Sequence, residues 1–177
     1  RFAVERLNRE IRNAVPNSIR VRDDTTRHCI EFTPIKASTF YIDIPVTPDP
    51  VKTSIDVVAF IDSQGNPFNC SGPCVDYIVV YPLTSADIYN FDVSSGDGKV
   101  TALKSFSGLS GDIWVLPVEP SGGMVFDQHS PTNRLYVFEA PVSYCVTSLG
   151  LGVNNSELRR YSEAGFTASP SLDPAGG

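Results

Sequence analysis

Residues 1–15 carry apolar side chains at spacings of three and four, and after Pro16 the spacing changes to two and stays there. That switch limits the fold more than any other feature, because a 3.6-residue period buries one stripe of a helix and a two-residue period buries one face of a strand. Val4, Leu7, Ile11 and Ala14 form the helical stripe, while Arg6, Arg9, Arg12, Glu5 and Glu10 fall mostly outside it. Opposite charges four apart, Glu5 with Arg9 and Arg6 with Glu10, support an exposed helix face. The residue before a proline is driven out of the helical region, so the helix is expected to end near Val15. It has a stop but no Ser, Thr, Asp or Asn to start it, and residues 1–15 therefore read as the remnant of a longer helix.

Nine later segments alternate and are rich in β-branched and aromatic residues: 18–22, 28–35, 39–45, 56–62, 75–82, 99–106, 112–117, 133–140 and 142–146. Clusters of Gly, Pro, Asn and Asp separate them, which predicts a mostly antiparallel sheet. "TSADIYNF" from Thr84 supplies a capping hydroxyl and a first-turn acid, the marks of one short helix. The expected architecture is α+β, with the N-terminal amphipathic helix laid on antiparallel strands. At 177 residues, 41% of them hydrophobic and 19% charged, the chain is globular and fits a single domain over 1–166. The remainder, 167–177, has linker composition and reads as a flexible tail.

The net charge of −6 is unevenly spread: residues 1–27 hold seven arginines against four acids, and everything after them is strongly acidic. An acidic body is a poor partner for nucleic acid, whose phosphates need clustered cations. No apolar run reaches the ~20 residues of a membrane span.

Cys29, Cys70, Cys74 and Cys145 allow three pairings if all are oxidised. Joining Cys29 to Cys145 would tie an early strand to a late one, worth on the order of 4 to 5 kcal/mol in the chain-entropy model. Joining Cys70 to Cys74 would staple the turn "CSGPC". Oxidised cysteines imply a periplasmic or extracellular setting. Zinc is the competing reading, with His28 and His129 as extra donors, but the paired knuckles of structural zinc sites are missing.

Chemistry-bearing motifs are scarce. "DSQGNP" (62–67) and "DVSSGDGK" (92–99) collect calcium-type donors without the twelve-residue spacing that holds the ion, and read as turns. Ser110 lacks the Gly-x-Ser-x-Gly frame of a hydrolase nucleophile. His28 and Cys29, adjacent in a strand, point to opposite faces. Neither an enzyme nor a cofactor is expected.

"RFAVERLNREIRNAVPNSIRV", "CIEFTPI" (29–35), "YPLTSADIYN" (81–90), "HSPTNRLYVFEAPVSYCV" (129–146) and "LRRY" (158–161), in that order, resemble the minor pilins of type IV pili and the J/W-type pseudopilins of type II secretion, with the pattern of MSHA-like pili nearest. The segments 45–70 and 92–125 do not share in the resemblance. It implies a pilin-like fold, a membrane anchor preceding Arg1, a periplasmic head before assembly, and then a place in an extracellular pilus among other minor and major pilins and the inner-membrane assembly machinery. The function implied is structural, priming or capping pilus assembly and supporting attachment, with Val4, Leu7, Ile11 and Ala14 as the packing face and Arg6, Arg9 and Arg12 as a subunit contact. A secretion pseudopilin of the J type is the alternative within the superfamily. A glycan-binding tip module, stacking sugars on Tyr41, Tyr77, Tyr89 and Trp114, is the alternative of another kind.

Overall fold

A computed structural model describes residues 2–25, 27–107, 109–148, 156–162 and 165–167. The fold is α+β with mostly antiparallel sheets. Where the sequence suggests one domain, contacts divide the chain into two compact units: 1–34, 84–90 and 140–177 form the first, and 35–83 with 91–139 the second. Of the expected tail only Thr167 is described, and it is exposed; 168–177 lie outside the described residues.

In the first unit, α1 (Phe2–Arg12) precedes a four-stranded antiparallel sheet in the order β1 (Arg20–Asp23), β2 (Arg27–Phe32), β11 (Val142–Ser148) and β12 (Ser156–Ser162). The helix stops three residues before the expected Val15. Ala14 bridges Pro34 and the Val15 N–H donates to the Thr33 carbonyl at 2.8 Å, so strand-like pairing claims the residues that Pro16 had already made poor helix formers. Pro16 and Asn17 make the turn, Asn17 taking the left-handed conformation at φ 63° that asparagine tolerates better than most residues.

Register assigns the sheet two different faces. Ile30 and Phe32 of β2 lie opposite Tyr144 and Val142 of β11, while Cys29 and Glu31 lie opposite Cys145 and Ser143. Cys29 and Cys145 are joined, as are Cys70 and Cys74, so both stapling pairs are formed and no cysteine is free. The short helix α2 (Ala86–Tyr89) belongs to this unit too. Asp87 reaches back to accept from the Thr84 N–H at 2.9 Å, in place of the capping hydroxyl expected there.

In the second unit six antiparallel strands run in the order β7 (Val100–Ala102), β5 (Tyr77–Val80), β10 (Arg134–Phe138), β3 (Ile35–Asp43), β4 (Ser54–Val58) and β8 (Ile113–Pro117). Just past the two outer strands, Leu103 bridges Val118, with the Lys104 N–H on the Pro117 carbonyl at 3.0 Å and the Glu119 N–H on the Ala102 carbonyl at 2.9 Å. The sheet therefore closes on itself as a small barrel. Alternation sends Tyr41, Ile55, Val57, Ile78, Val80, Trp114, Leu116, Leu135 and Val137 into its core, and leaves Phe40, Ile42, Val58, Ile113 and Val115 exposed. A two-residue parallel pair, β6 (Asp97–Gly98) with β9 (Val125–Phe126), lies in the same unit.

The Cys29–Cys145 bond spans a sequence separation of 116. Replacing both residues by serine is expected to lower the unfolding free energy by about 4 to 5 kcal/mol, read from urea unfolding of the two proteins side by side.

Candidate functional site

The sequence singles out the N-terminal helix, and the structure surrounds it with the features most able to bind something. Leu7, Ile11 and Ala14 pack against Phe32, Val142 and Tyr144, with Ile30 and Leu158 completing the cluster. Two members of the expected stripe differ. Ala14 packs from beyond the helix end, and Val4 is 52% exposed, as is Phe2 at 82%, so the stripe runs on as open apolar surface past the part that the sheet covers. Beside Leu7 a groove of about 230 Å³ is lined by Val21, Ile30, Val146 and Leu158, with Asp23 and His28 among its polar lining. The His28 Nδ1 lies 3.1 Å from Asp23 Oδ1.

Charge pins the helix at one point. Glu10 accepts from Arg6 at 2.8 Å and from Arg160 of β12 at 2.9 Å. Burial pulls the Glu10 pKa up, but the hydrogen bonds and charge of Arg6 and Arg160 outweigh it and leave it below its ordinary value of 4.5. The neighbouring Tyr144 phenol is pushed up, first by burial and then by the Glu10 charge; its hydroxyl is buried, with no partner at hydrogen-bonding geometry among the described residues. The three arginines of the expected contact are therefore unequal. Arg6 is committed to Glu10, whereas Arg9 and Arg12 are exposed and form no ion pair among the described residues.

The opposite face of the sheet holds a polar constellation that the sequence does not announce. Arg20 donates to Glu31 Oε1 from Nε at 3.2 Å and from Nη2 at 2.7 Å, and its guanidinium stacks 3.5 Å from the centre of the Tyr89 ring. The Tyr89 hydroxyl donates to the Ser18 carbonyl at 2.9 Å and accepts from Thr33 at 3.3 Å. Glu31 is 1% exposed, so this pair holds α2 to the sheet rather than awaiting a ligand. Alternation hid it: Glu31 sits in "CIEF" where an outward residue would be expected to meet water. In the second unit Asp76, also 1% exposed, receives Lys36 at 2.7 Å. The one available signal was an acid leading the apolar run "YIVV".

Other candidates resolve into structure. Tyr41, Tyr89 and Trp114 are buried and Tyr77 half-buried, its ring packed on Phe91 and Phe138, so these four offer no exposed platform for a sugar. Asp62 accepts from the backbone of Gln64 and Asn66 at 2.8 and 2.9 Å, and Asp92 from that of Ser94 at 2.9 Å. These are Asx-type turns; backbone donors hold the Asp62 carboxyl pKa down, and the Ser94 hydroxyl, then its backbone N–H, hold down that of Asp92. His129 Nδ1 lies 3.4 Å from the Tyr41 hydroxyl, and every cysteine it could have joined as a zinc donor is tied up in a disulfide. No helix among the described residues is long and apolar enough to cross a membrane.

Searches with family models, against curated proteins and against solved structures find no match to this chain.

The Glu10 contribution has a definite sign. A carboxylate whose folded pKa is depressed stabilises above its unfolded value and loses that contribution as pH falls through the folded value. A double-mutant cycle with Glu10→Gln and Arg160→Gln is expected to give a coupling of about 0.2 to 1 kcal/mol at pH 7. It should vanish below the ordinary carboxylate range, as read by urea unfolding at each pH.

Proposed function

We propose that this chain is a structural subunit of a type IV filament, a minor pilin of the MSHA-like kind that primes or caps pilus assembly and supports surface attachment. The observation that carries the reading is the state of α1. Its Leu7 and Ile11 are fastened to an antiparallel sheet, while Phe2, Val4, Arg9 and Arg12 stand open. A helix half docked and half exposed suits a subunit that offers its free side to neighbouring helices, apolar residues making the contact and guanidinium groups setting its register. The order of motifs along the chain supports the same reading. Two disulfides fit an oxidising compartment: a periplasmic head before assembly, then the cell exterior. On this reading the subunit is held in the inner membrane by a segment preceding Arg1, works with other minor and major pilins and the assembly machinery, and has a structural rather than an enzymatic role in the filament.

The test is complementation of a deletion strain, with filaments counted by electron microscopy. Arg9→Glu with Arg12→Glu leaves the Arg6–Glu10 pair in place and is expected to reduce filaments per cell by about tenfold or more through charge reversal at the contact. Normal piliation with this variant would remove the helix face from the proposal. Normal piliation of the deletion strain itself, with loss of protein secretion, would assign the subunit to a type II secretion apparatus instead.

A further inference from the structure

The two disulfides occupy unlike settings. Cys29 and Cys145 are cross-strand partners in the centre of a sheet, at 3% and 1% exposure. Cys70 and Cys74 instead bracket a turn in which Ser71, Gly72 and Pro73 are all exposed and Gly72 takes the left-handed conformation at φ 76°. Cys70 is buried and held by paired backbone hydrogen bonds with Phe106, whereas Cys74 is half-buried at the end of the turn. A nucleophile from solvent therefore meets Cys74 first.

The second observation concerns what lies behind Cys70. The Asp76 carboxyl is buried; its Oδ1 accepts from Lys36 Nζ at 2.7 Å, and its Oδ2 lies 3.1 Å from the Cys70 sulfur. A disulfide sulfur carries no hydrogen, so that contact is a hydrogen bond only when a proton lies between the two atoms. Such a proton has two homes, the carboxyl group while the disulfide is closed and the Cys70 thiol once it is open. Burial pushes the Asp76 pKa up against the opposing pull of Lys36, with Glu139 adding its own negative charge. Burial disfavours the Lys36 ammonium, yet Asp76 and then Glu139 at 3.5 Å keep its pKa above the ordinary value.

We propose that Cys70–Cys74 is a thiol–disulfide exchange site for a dithiol, in which Asp76 passes a proton to and from Cys70. A thiolate of the dithiol attacks the Cys74 sulfur and forms a mixed disulfide. The Cys70–Cys74 bond breaks, its electron pair leaves on the Cys70 sulfur, and that sulfur takes the Asp76 proton. Without the proton, the leaving thiolate would sit in a buried place against a carboxylate. Lys36 remains as counter-ion to the carboxylate so formed. The second thiol of the dithiol loses its proton to water and attacks its partner sulfur in the mixed disulfide. Cys74 is released and protonated by water. The dithiol is oxidised by two electrons to its own disulfide, and Cys70 and Cys74 are reduced to thiols. In the reverse direction the Asp76 carboxylate takes the Cys70 proton as that sulfur attacks. This chemistry stands apart from the filament reading and holds for any role of the chain.

The experiment exposes the folded protein to dithiothreitol, quenches by alkylation and follows both disulfides by peptide mass. Cys70–Cys74 should open about tenfold or more faster than Cys29–Cys145, with the circular dichroism unchanged. Divided by the thiolate fraction of the reductant, its rate should fall as pH rises through the Asp76 titration. Asp76→Asn should flatten that profile and slow opening by about tenfold or more at its acid end. Lys36→Met keeps the carboxyl group without its counter-ion and should move the midpoint to higher pH, which decides the matter if the asparagine variant does not fold. Opening of both disulfides together with loss of structure, or a profile untouched by either substitution, would overturn the proposal.

Discussion

Everything in the first unit depends on one strand pair, β2 with β11. Its residues are more than a hundred positions apart, and register places Cys29 directly opposite Cys145. The sheet's apolar face exists only once Ile30 and Phe32 lie beside Tyr144 and Val142, and that face is what α1 packs against. No residue of the helix is fully buried, so its hold rests on the partly covered Leu7 and Ile11 and on Glu10. Closing so long a loop costs chain entropy before any contact is gained. The bond between Cys29 and Cys145 removes that cost from the unfolded state for as long as it survives. Between leaving the first unit after Pro34 and rejoining it at Ala140, the chain builds the whole of the second, with a brief return over 84–90. A chain emerging in order can therefore complete the second unit before β2 has any partner on its β11 side.

Polar groups are distributed with the same economy. Each buried carboxyl group described has a basic side chain at hydrogen-bonding distance: Glu31 has Arg20, and Asp76 has Lys36. Removing one member would strand the other, which is costlier than never having built the pair. The Glu10 cluster lies at the half-open rim of the helix and is correspondingly weaker. The molecule thus separates interactions that hold elements together from an outer set, Arg9 and Arg12, whose charge is open to solvent.

Period carried most of the fold in the sequence. All nine alternating segments contain or overlap a strand, and most have one face in a core, which is what alternation provides; β1, with no buried residue, and β5, buried on both faces, depart from that rule. The strands that escaped had no need to alternate. In β12, "SELRRYS", few side chains are covered, since an edge strand gains its place through backbone pairing with β11. The two-residue strands β6 and β9 are too short to show a period. The helix stripe was legible at Leu7 and Ile11 and overextended at Val4, because periodicity marks the apolar side of a helix without showing how much of it another element covers. Glu31 and Asp76 were beyond reach for a related reason. A carboxylate in or beside a strand looks the same in sequence whether water or a basic side chain from another segment awaits it.

The bridge between Leu103 and Val118 has a consequence for how this chain can meet others. Because the barrel meets itself at that bridge, its two outer strands are engaged with each other at one end, which shortens the open ladder of amides on which foreign strands nucleate. The open edges of the four-stranded sheet are β1 and β12, and both are studded with ionic side chains: Arg20, Arg22 and Asp23 on one, Glu157, Arg159 and Arg160 on the other. An incoming strand would have to strip water from those groups to add itself. Polymerisation by strand donation, the route to amyloid and to swapped sheets, is thereby discouraged in a protein whose helix remains free to associate through its side chains.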